Sequence, residues 1–398
     1  MNLKVRDFIL HSVSYFFLLL SYPLIRASST AYFFEAYGAK STPLAWLWAI
    51  MILSICVWGL NLAQKKRGSW WLMSVTSLFS SLIFFGCWLL YQQGFLFGAY
   101  GFFVWKEVYI VLLVHLMLAY INSLLSREHF KKRIGIIAGA GSLGGILGGL
   151  LTTQLSQTDQ TNVIFLLGVV FILVPGLMTF LTPNFHIAHE NHPSTAFASL
   201  DNQKMKKYVF FIIVITILSQ WIINIADFKF NLVFEKSILS SQGRTAFLGQ
   251  IYTYTNLLTL GMQLLILPVV LRRLKEKSIH LMIPIFYFIS FGVGLFFGQS
   301  FLLVSSGFYL FLKSVDYSLF SGAKEFLYQP MDSAQKYATK YLTDMIAYRG
   351  GKGCIALILV YTQNPQFLNL IMLGCMGIWI GLLFPLFKLH QELFSLKE

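Results

Sequence analysis

Nine ionisable residues interrupt stretches of sequence that are otherwise apolar: Lys106, Glu107, His115, Asp227, Lys229, Lys313, Asp316, Arg349 and Lys352. Each costs at least roughly 2.5–3.5 kcal/mol at a bilayer centre unless it is paired or lines an aqueous cavity, so a chain that keeps them must neutralise them or use them. Lys313 and Asp316 are three apart with opposite signs and are expected to neutralise each other on one helix. Arg349 and Lys352 have the same spacing but the same sign. They cannot satisfy one another; an anion, or carboxylates on facing helices, must do so, and contact with an anionic substrate is the expectation. At about 1.5 Å per residue they sit roughly 12 and 16 Å along their helix from its cytoplasmic end, near the membrane midplane. Arg26 and Lys229 supply two more cations, while Glu107 and Asp227 supply carboxylates that pair with the cations in an empty site or carry a proton. His115 is expected to be a hydrogen-bonded packing residue. Ordered partner exchange among charges is binding chemistry. No Ser/His/Asp order and no metal-ligand cluster stands out, so no catalytic residue, cofactor or metal is expected.

Elements able to hold these residues are dictated by composition. Hydrophobic residues are 57% of 398 and charged residues only 12%, about half the charge of an ordinary soluble domain. Lipid is the solvent that fits. Apolar runs long enough to cross about 30 Å of hydrocarbon recur at about 8–34, 43–63, 70–91, 99–125, 134–154, 162–182, 208–233, 246–270, 279–298, 301–322, 338–361 and 367–388. The net charge of +14 would indicate nucleic acid in a soluble protein. Its placement says otherwise. With the N-terminus inside, Arg26, Lys40, Lys229, Lys236 and Arg244 lie outside and Lys106, Lys313, Arg349 and Lys352 within spans, leaving 21 of the 30 Lys and Arg on the cytoplasmic side. By the positive-inside rule both termini are cytoplasmic and the positive charge is topology, with no nucleic-acid partner.

The longest polar interruption, 183–207, separates an N-terminal six-helix half (1–182) from a C-terminal one (208–398) and reads as a cytoplasmic linker. The opening run of each half ends in a polar stretch, Arg26-Ala-Ser-Ser-Thr30 in one and Asn224-Ile-Ala-Asp-Phe-Lys229 in the other, which points to a shared central site. Gly139-Ala-Gly-Ser-Leu-Gly144 matches the dinucleotide fingerprint GxGxxG, but no strand precedes it. It continues into GxxxG spacings at 141/145, 145/149 and 144/148, the pattern of a close-packed face on the fifth helix. Cys56, Cys87, Cys354 and Cys375 fall in apolar runs without metal or redox spacing. His186, His189 and His192 sit between Pro183 and Pro193 without an acidic or Cys partner in register. Lys4 and Arg6 ahead of the first apolar run mimic a secretory signal, and the eleven runs that follow favour an uncleaved first helix. Trp46, Trp70, Trp71 and Trp105, near the ends of runs, read as interfacial anchors.

Three stretches resemble the bacterial and plastid ATP/ADP translocase family and its shorter bacterial relatives within the major facilitator superfamily. One is Tyr317-Ser-Leu-Phe-Ser-Gly-Ala-Lys-Glu-Phe-Leu-Tyr-Gln-Pro-Met-Asp332, followed by Lys336, Lys340, Asp344 and Arg349-Gly-Gly-Lys352. Another is Ala226-Asp-Phe-Lys-Phe230 through Phe247-Leu-Gly249 to Leu271-Arg-Arg273, and the third Arg133-Ile-Gly-Ile-Ile-Ala-Gly-Ala-Gly-Ser-Leu-Gly-Gly145 after Glu107. The resemblance places the family's helix 4 and helix 7 acidic positions on Glu107 and Asp227 and its helix 11 lysine on Lys352. Its helix 1 Arg-x-x-Lys-Asp reads Arg26-Ala-Ser-Ser-Thr30 here, so Ser29 replaces the lysine and Arg26, one turn away, is left to compensate.

The expectation is an all-α integral membrane protein of about twelve transmembrane helices in major-facilitator-like 6+6 halves, monomeric in the bacterial inner membrane. It would move a nucleotide or other anionic, phosphorylated metabolite by alternating access, as an antiporter if it follows the family. Arg26, Glu107, Asp227, Lys229, Arg349 and Lys352 are the expected substrate-binding residues. Two rivals are a proton-coupled carrier or exporter of a lipid-like or drug-like molecule and a non-transporting membrane scaffold. Arg349 and Lys352 argue against the scaffold.

Overall fold

The computed structural model describes residues 5–64, 66–124, 127–158, 160–181, 200 and 202–394. Among the described residues the regular structure is helical throughout, with no strand. In lipid only a helix satisfies its backbone within one segment, and the apolar runs leave no alternative. Among the described residues twelve rods follow one another: α1 Val5–Tyr37, α2 Thr42–Gln64, α3 Ser69–Gln92, α4 Phe97–Leu124, α5 Arg127–Ser156, α6 Thr161–Phe180, α7 Gln203–Ser237, α8 Ser241–Arg273, α9 Glu276–Phe297, α10 (302–328), α11 (333–361) and α12 Pro365–Phe394. Nine of them are long and apolar enough to cross a membrane on those grounds alone. Of the other three, α5 opens on Arg127-Glu-His-Phe-Lys-Lys-Arg133, and α10 and α11 carry the charges of the 313–352 region. The expected linker 183–207 and its three histidines fall largely outside the described residues, and its end, from Gln203, opens α7.

The chain divides into two compact units, one of Met1–Ala188 with Glu235–Leu257, the other of His189–Phe234 with Leu258–Glu398. The boundaries cut through α7 and α8.

In the first unit α1 packs against α4, α5 and α6, and α3 against α4 and α6. Glycine decides how closely. A Cβ on Gly144 would lie 2.2 Å from the carbonyl oxygen of Phe16, and one on Gly148 2.4 Å from that of Leu20, so α5 meets α1 backbone to backbone. The other side of α5 meets the start of α8: a Cβ on Gly149 would lie 2.8 Å from the Gly249 oxygen, and one on Gly249 2.9 Å from the Gly149 oxygen. The glycine pattern therefore makes two packing faces where the spacing alone indicated one. Gly145, in the middle of that pattern, looks onto the flexible side chain of Asn256. Hydroxyls inside these helices bond to the carbonyl one turn back, as Thr152 does to Gly148 and Ser156 to Thr152, which keeps them satisfied in an apolar interior. Trp46 and Trp105 are buried, which corrects their reading as interfacial anchors.

The second unit is built differently. α8, α10 and α11 each contain a stretch of wider π turns, at Met262–Ile266, Asp316–Phe320 and Tyr341–Ala347. Pro268 follows the first; its missing N–H breaks the α pattern and accounts for the local widening. Aromatic rings fill the interior: Trp379 meets Tyr287 and Phe320 edge to face, and Phe230 stacks on Tyr309 at 4.8 Å.

Candidate functional site

The six expected site residues fall two in the first unit and four in the second. Arg26 sits on α1 with its guanidinium 4.6 Å from the ring centre of Tyr252 and 5.5 Å from that of Tyr22, an arrangement in which two aromatic faces help hold the cation in place. The hydroxyls that follow it divide by role. Ser28 donates to the Leu24 carbonyl and Thr30 to the Arg26 carbonyl, whereas Ser29, fully buried, has no hydrogen-bond partner among the described residues. A polar group left this way costs about 1–3 kcal/mol unless a ligand or water meets it.

Glu107 on α4 is paired with its neighbour in sequence, Lys106, whose Nζ lies 2.8 Å from Oε1. Adjacent residues do not share a helix face, so spacing gave no hint of this pair. The lysine reaches back across the ring of Phe103, 3.8 Å from its centre, and is itself buried. Lys106 is thus the cation that Glu107 would have to leave in order to pair elsewhere.

In the second unit Asp227 on α7 is buried and accepts a 3.0 Å hydrogen bond from Asn231 Nδ2, one turn on. Lys229, two residues further, points about 200° around the helix from Asp227. Its ammonium donates to two amide oxygens, Gln299 Oε1 between α9 and α10 and Asn369 Oδ1 on α12. Neutral oxygens hold this charge. Neither amide was identifiable from sequence, where both are single polar residues near the ends of apolar runs.

Arg349 and Lys352 lie on α11 just beyond its π stretch, both partly buried. The rod begins at Ser333, earlier than the apolar run, so they lie roughly 24 and 29 Å from its start, and the middle of the rod falls near residue 347. A Cβ on Gly351, between them, would touch the Ile217 backbone at 3.3 Å, which seats α11 closely on α7. On α10, Asp316 accepts a 3.2 Å hydrogen bond from Ser219 of α7, and Lys313 lies near the rings of Tyr309 and Tyr317. The buried carboxylate therefore has a neutral donor beside the lysine expected to balance it. His115 is exposed on α4.

The longest stretch of family-like residues has a structural explanation. Lys324 pairs with Asp344 and Glu325 with Lys340 at 2.7 Å, two crossed ion pairs that tie the end of α10 to the start of α11. Tyr328 and Thr343 add a hydroxyl contact of 2.7 Å. Asp332 caps α11 by accepting from the backbone N–H of Gln335 at 2.8 Å.

No family model matches the chain, and no curated protein does. Solved structures do. The crystal structure of the nucleoside transporter NupG matches at TM-score 0.60 and 17% identity, over 98% of this chain and 100% of that one. A D-xylose-proton symporter matches at 0.64 and 12%, over 96% of each chain, and an auto-inhibited POT family peptide transporter at 0.67 and 10%, over 97% of each. Similarity at this identity is similarity of fold. The chain accordingly has the all-helical fold of major-facilitator-type transporters and is a multi-pass membrane protein.

Proposed function

We propose that the protein is a secondary transporter that carries an anionic, phosphorylated metabolite of the nucleotide class by alternating access, with both termini and the 183–207 linker in the cytoplasm. The observation that carries this reading is the pair Arg349 and Lys352, two like charges one turn apart and partly buried, just past the middle of α11. Like charges so placed favour an anion with more than one oxygen to offer. The solved structures that share the fold carry nucleosides, sugars, peptides or metals by their own names, so fold does not select among substrates and the reading rests on charge. Arg26 over its two tyrosines, the orphan Ser29 hydroxyl and Lys229 add polar donors, while Glu107 and Asp227 would take up cations released from an anion. Amides hold Lys229 in the meantime. Sidedness is tested by cysteine labelling at Ser199 and Lys236, which should give opposite accessibility.

A thermal-shift screen of the purified protein against nucleotides, sugar phosphates and organic anions tests the substrate class. A ligand at a hundred times its Kd stabilises by about 2.7 kcal/mol, a readily measured rise in Tm. Lys352→Gln should abolish that rise and uptake into vesicles while leaving the apo Tm within a degree or two, roughly the scale of a surface change; Lys352→Arg should recover part of both. Unchanged ligand stabilisation together with lost apo stability, restored by removing Asp227 as well, would make the pair a strut and reject the assignment. A second reading, proton-coupled movement of a lipid-like or drug-like molecule, draws on the two carboxylates inside spans. It predicts stabilisation by none of the anions and a proton flux that Glu107→Gln or Asp227→Asn abolishes.

A further inference from the structure

We infer that the junction of α8 and α9 is a binding surface for the headgroups of anionic phospholipids. Arg272 and Arg273 close α8, Lys275 sits at the entry to α9 and Lys277 in its first turn, four cations within six residues. All four are exposed, and among the described residues none of them makes an ion pair. Positive charge at a membrane end is ordinary topology. What sets this junction apart is the fate of its one acid.

Glu276 lies between Lys275 and Lys277, where it could neutralise either, yet its carboxylate is turned to His390 of α12, with Nε2 and Oε2 at 3.3 Å. The imidazole that meets Glu276 is itself anchored: its Nδ1 lies 2.8 Å from the Tyr208 hydroxyl of α7, which donates to the Leu327 carbonyl of α10 at 3.0 Å. The one acid of the junction is therefore engaged by α12, and the four cations are left without a carboxylate partner. The remaining acid near this end of α12, Glu392, is likewise engaged by Lys204 at 2.8 Å.

Two further features place the cations at headgroup depth. Lys277 lies 5.1 Å from the ring centre of Phe384, a side chain exposed on the outer face of α12 where lipid would be. Leu274, between the arginines and the lysines, is also exposed. An ammonium on a lipid-facing ring beside an exposed leucine suits a molecule with a phosphate above an acyl chain. A free phosphate would have no use for either apolar group.

The test measures Tm in nanodiscs of phosphatidylcholine and of phosphatidylcholine mixed with phosphatidylglycerol. The wild-type protein should be stabilised by phosphatidylglycerol, and a four-site variant with Arg272→Gln, Arg273→Gln, Lys275→Gln and Lys277→Gln should lose more than half of that increment while matching wild type in phosphatidylcholine. If the four-site variant does not fold, the two-site variant Lys275→Gln, Lys277→Gln replaces it, with a proportionately smaller loss. A control with Lys66→Gln and Arg67→Gln, in the loop between α2 and α3, should keep the full increment. Retention of the increment by the α8–α9 variant, or an equal loss in the control, overturns the proposal. So does inorganic phosphate in phosphatidylcholine nanodiscs if it reproduces the stabilisation, because the surface would then recognise a free anion.

Discussion

The glycine-lined helix α5 and the charged pair α10 and α11 solve the same problem by opposite means. α5 removes side chains, so that its backbone meets α1 on one face and α8 on the other at distances no Cβ would permit. α10 and α11 keep long polar side chains and satisfy them locally through Ser219 on Asp316, the crossed pairs of Lys324 and Glu325, and π stretches that interrupt the regular ladder. Rigidity follows from the first solution, since a backbone contact has no rotamer to change. Adjustability follows from the second, because ion pairs and widened turns have alternatives of similar energy. The regular helices of the first unit hold a fixed frame, and two of the cations expected to meet substrate, Arg349 and Lys352, sit just beyond a π stretch.

The sharpest way to break this contrast is at Gly144. Gly144→Ala puts a methyl group against the Phe16 carbonyl, where only backbone movement makes room, and should cost about 3 kcal/mol. Gly145→Ala meets only the Asn256 side chain and should cost about 1 kcal/mol or less. Melting temperature and monodispersity in detergent compare them directly; equal losses would mean that α5 is not seated by its backbone contacts. A smaller effect is expected at the crossed pairs. Asp344→Asn leaves the largely buried Lys324 without its carboxylate and should lower stability by about 1–2 kcal/mol, less than for a fully buried pair because Asp344 is 40% exposed. Adding Lys324→Met should restore part of the loss, and a double-mutant cycle reads the coupling. The smallest change should come from Lys340→Gln, which removes an exposed partner of Glu325 and is worth about 0.5 kcal/mol or less by the same denaturation measurement. If it equals the Asp344 effect, the two pairs act as one unit.

Much of this was legible in the sequence, and the parts that were not share a cause. Run length and polarity gave the twelve rods, because lipid constrains composition along every span. Their ends were read short at α1, α7 and α11, where helix continues past the apolar run into polar and charged residues such as Lys204, which finds a partner on another helix. The glycine spacing on α5 was plain, but which glycine meets backbone and which meets a side chain depends on the neighbouring helix. Every residue of the candidate site stood out as a charge among apolar neighbours. Their partners did not: Lys106 folding back on Glu107, and Gln299 and Asn369 holding Lys229, are set by tertiary placement. The π stretches left no trace in hydropathy, which is blind to hydrogen-bond register.

The π stretch at Tyr341–Ala347 bears on evolution as much as on packing. One extra residue in a turn rotates everything beyond it by roughly 100° relative to an unbroken α-helix. Arg349 and Lys352 come straight after it, so their azimuth is set by chain length within the stretch and not by their own identity. A lineage could therefore redirect both cations together by gaining or losing a single residue there, with the motif Arg349-Gly-Gly-Lys352 left intact. Among homologues, an indel in this stretch would be a better marker of altered substrate than a change in the motif itself.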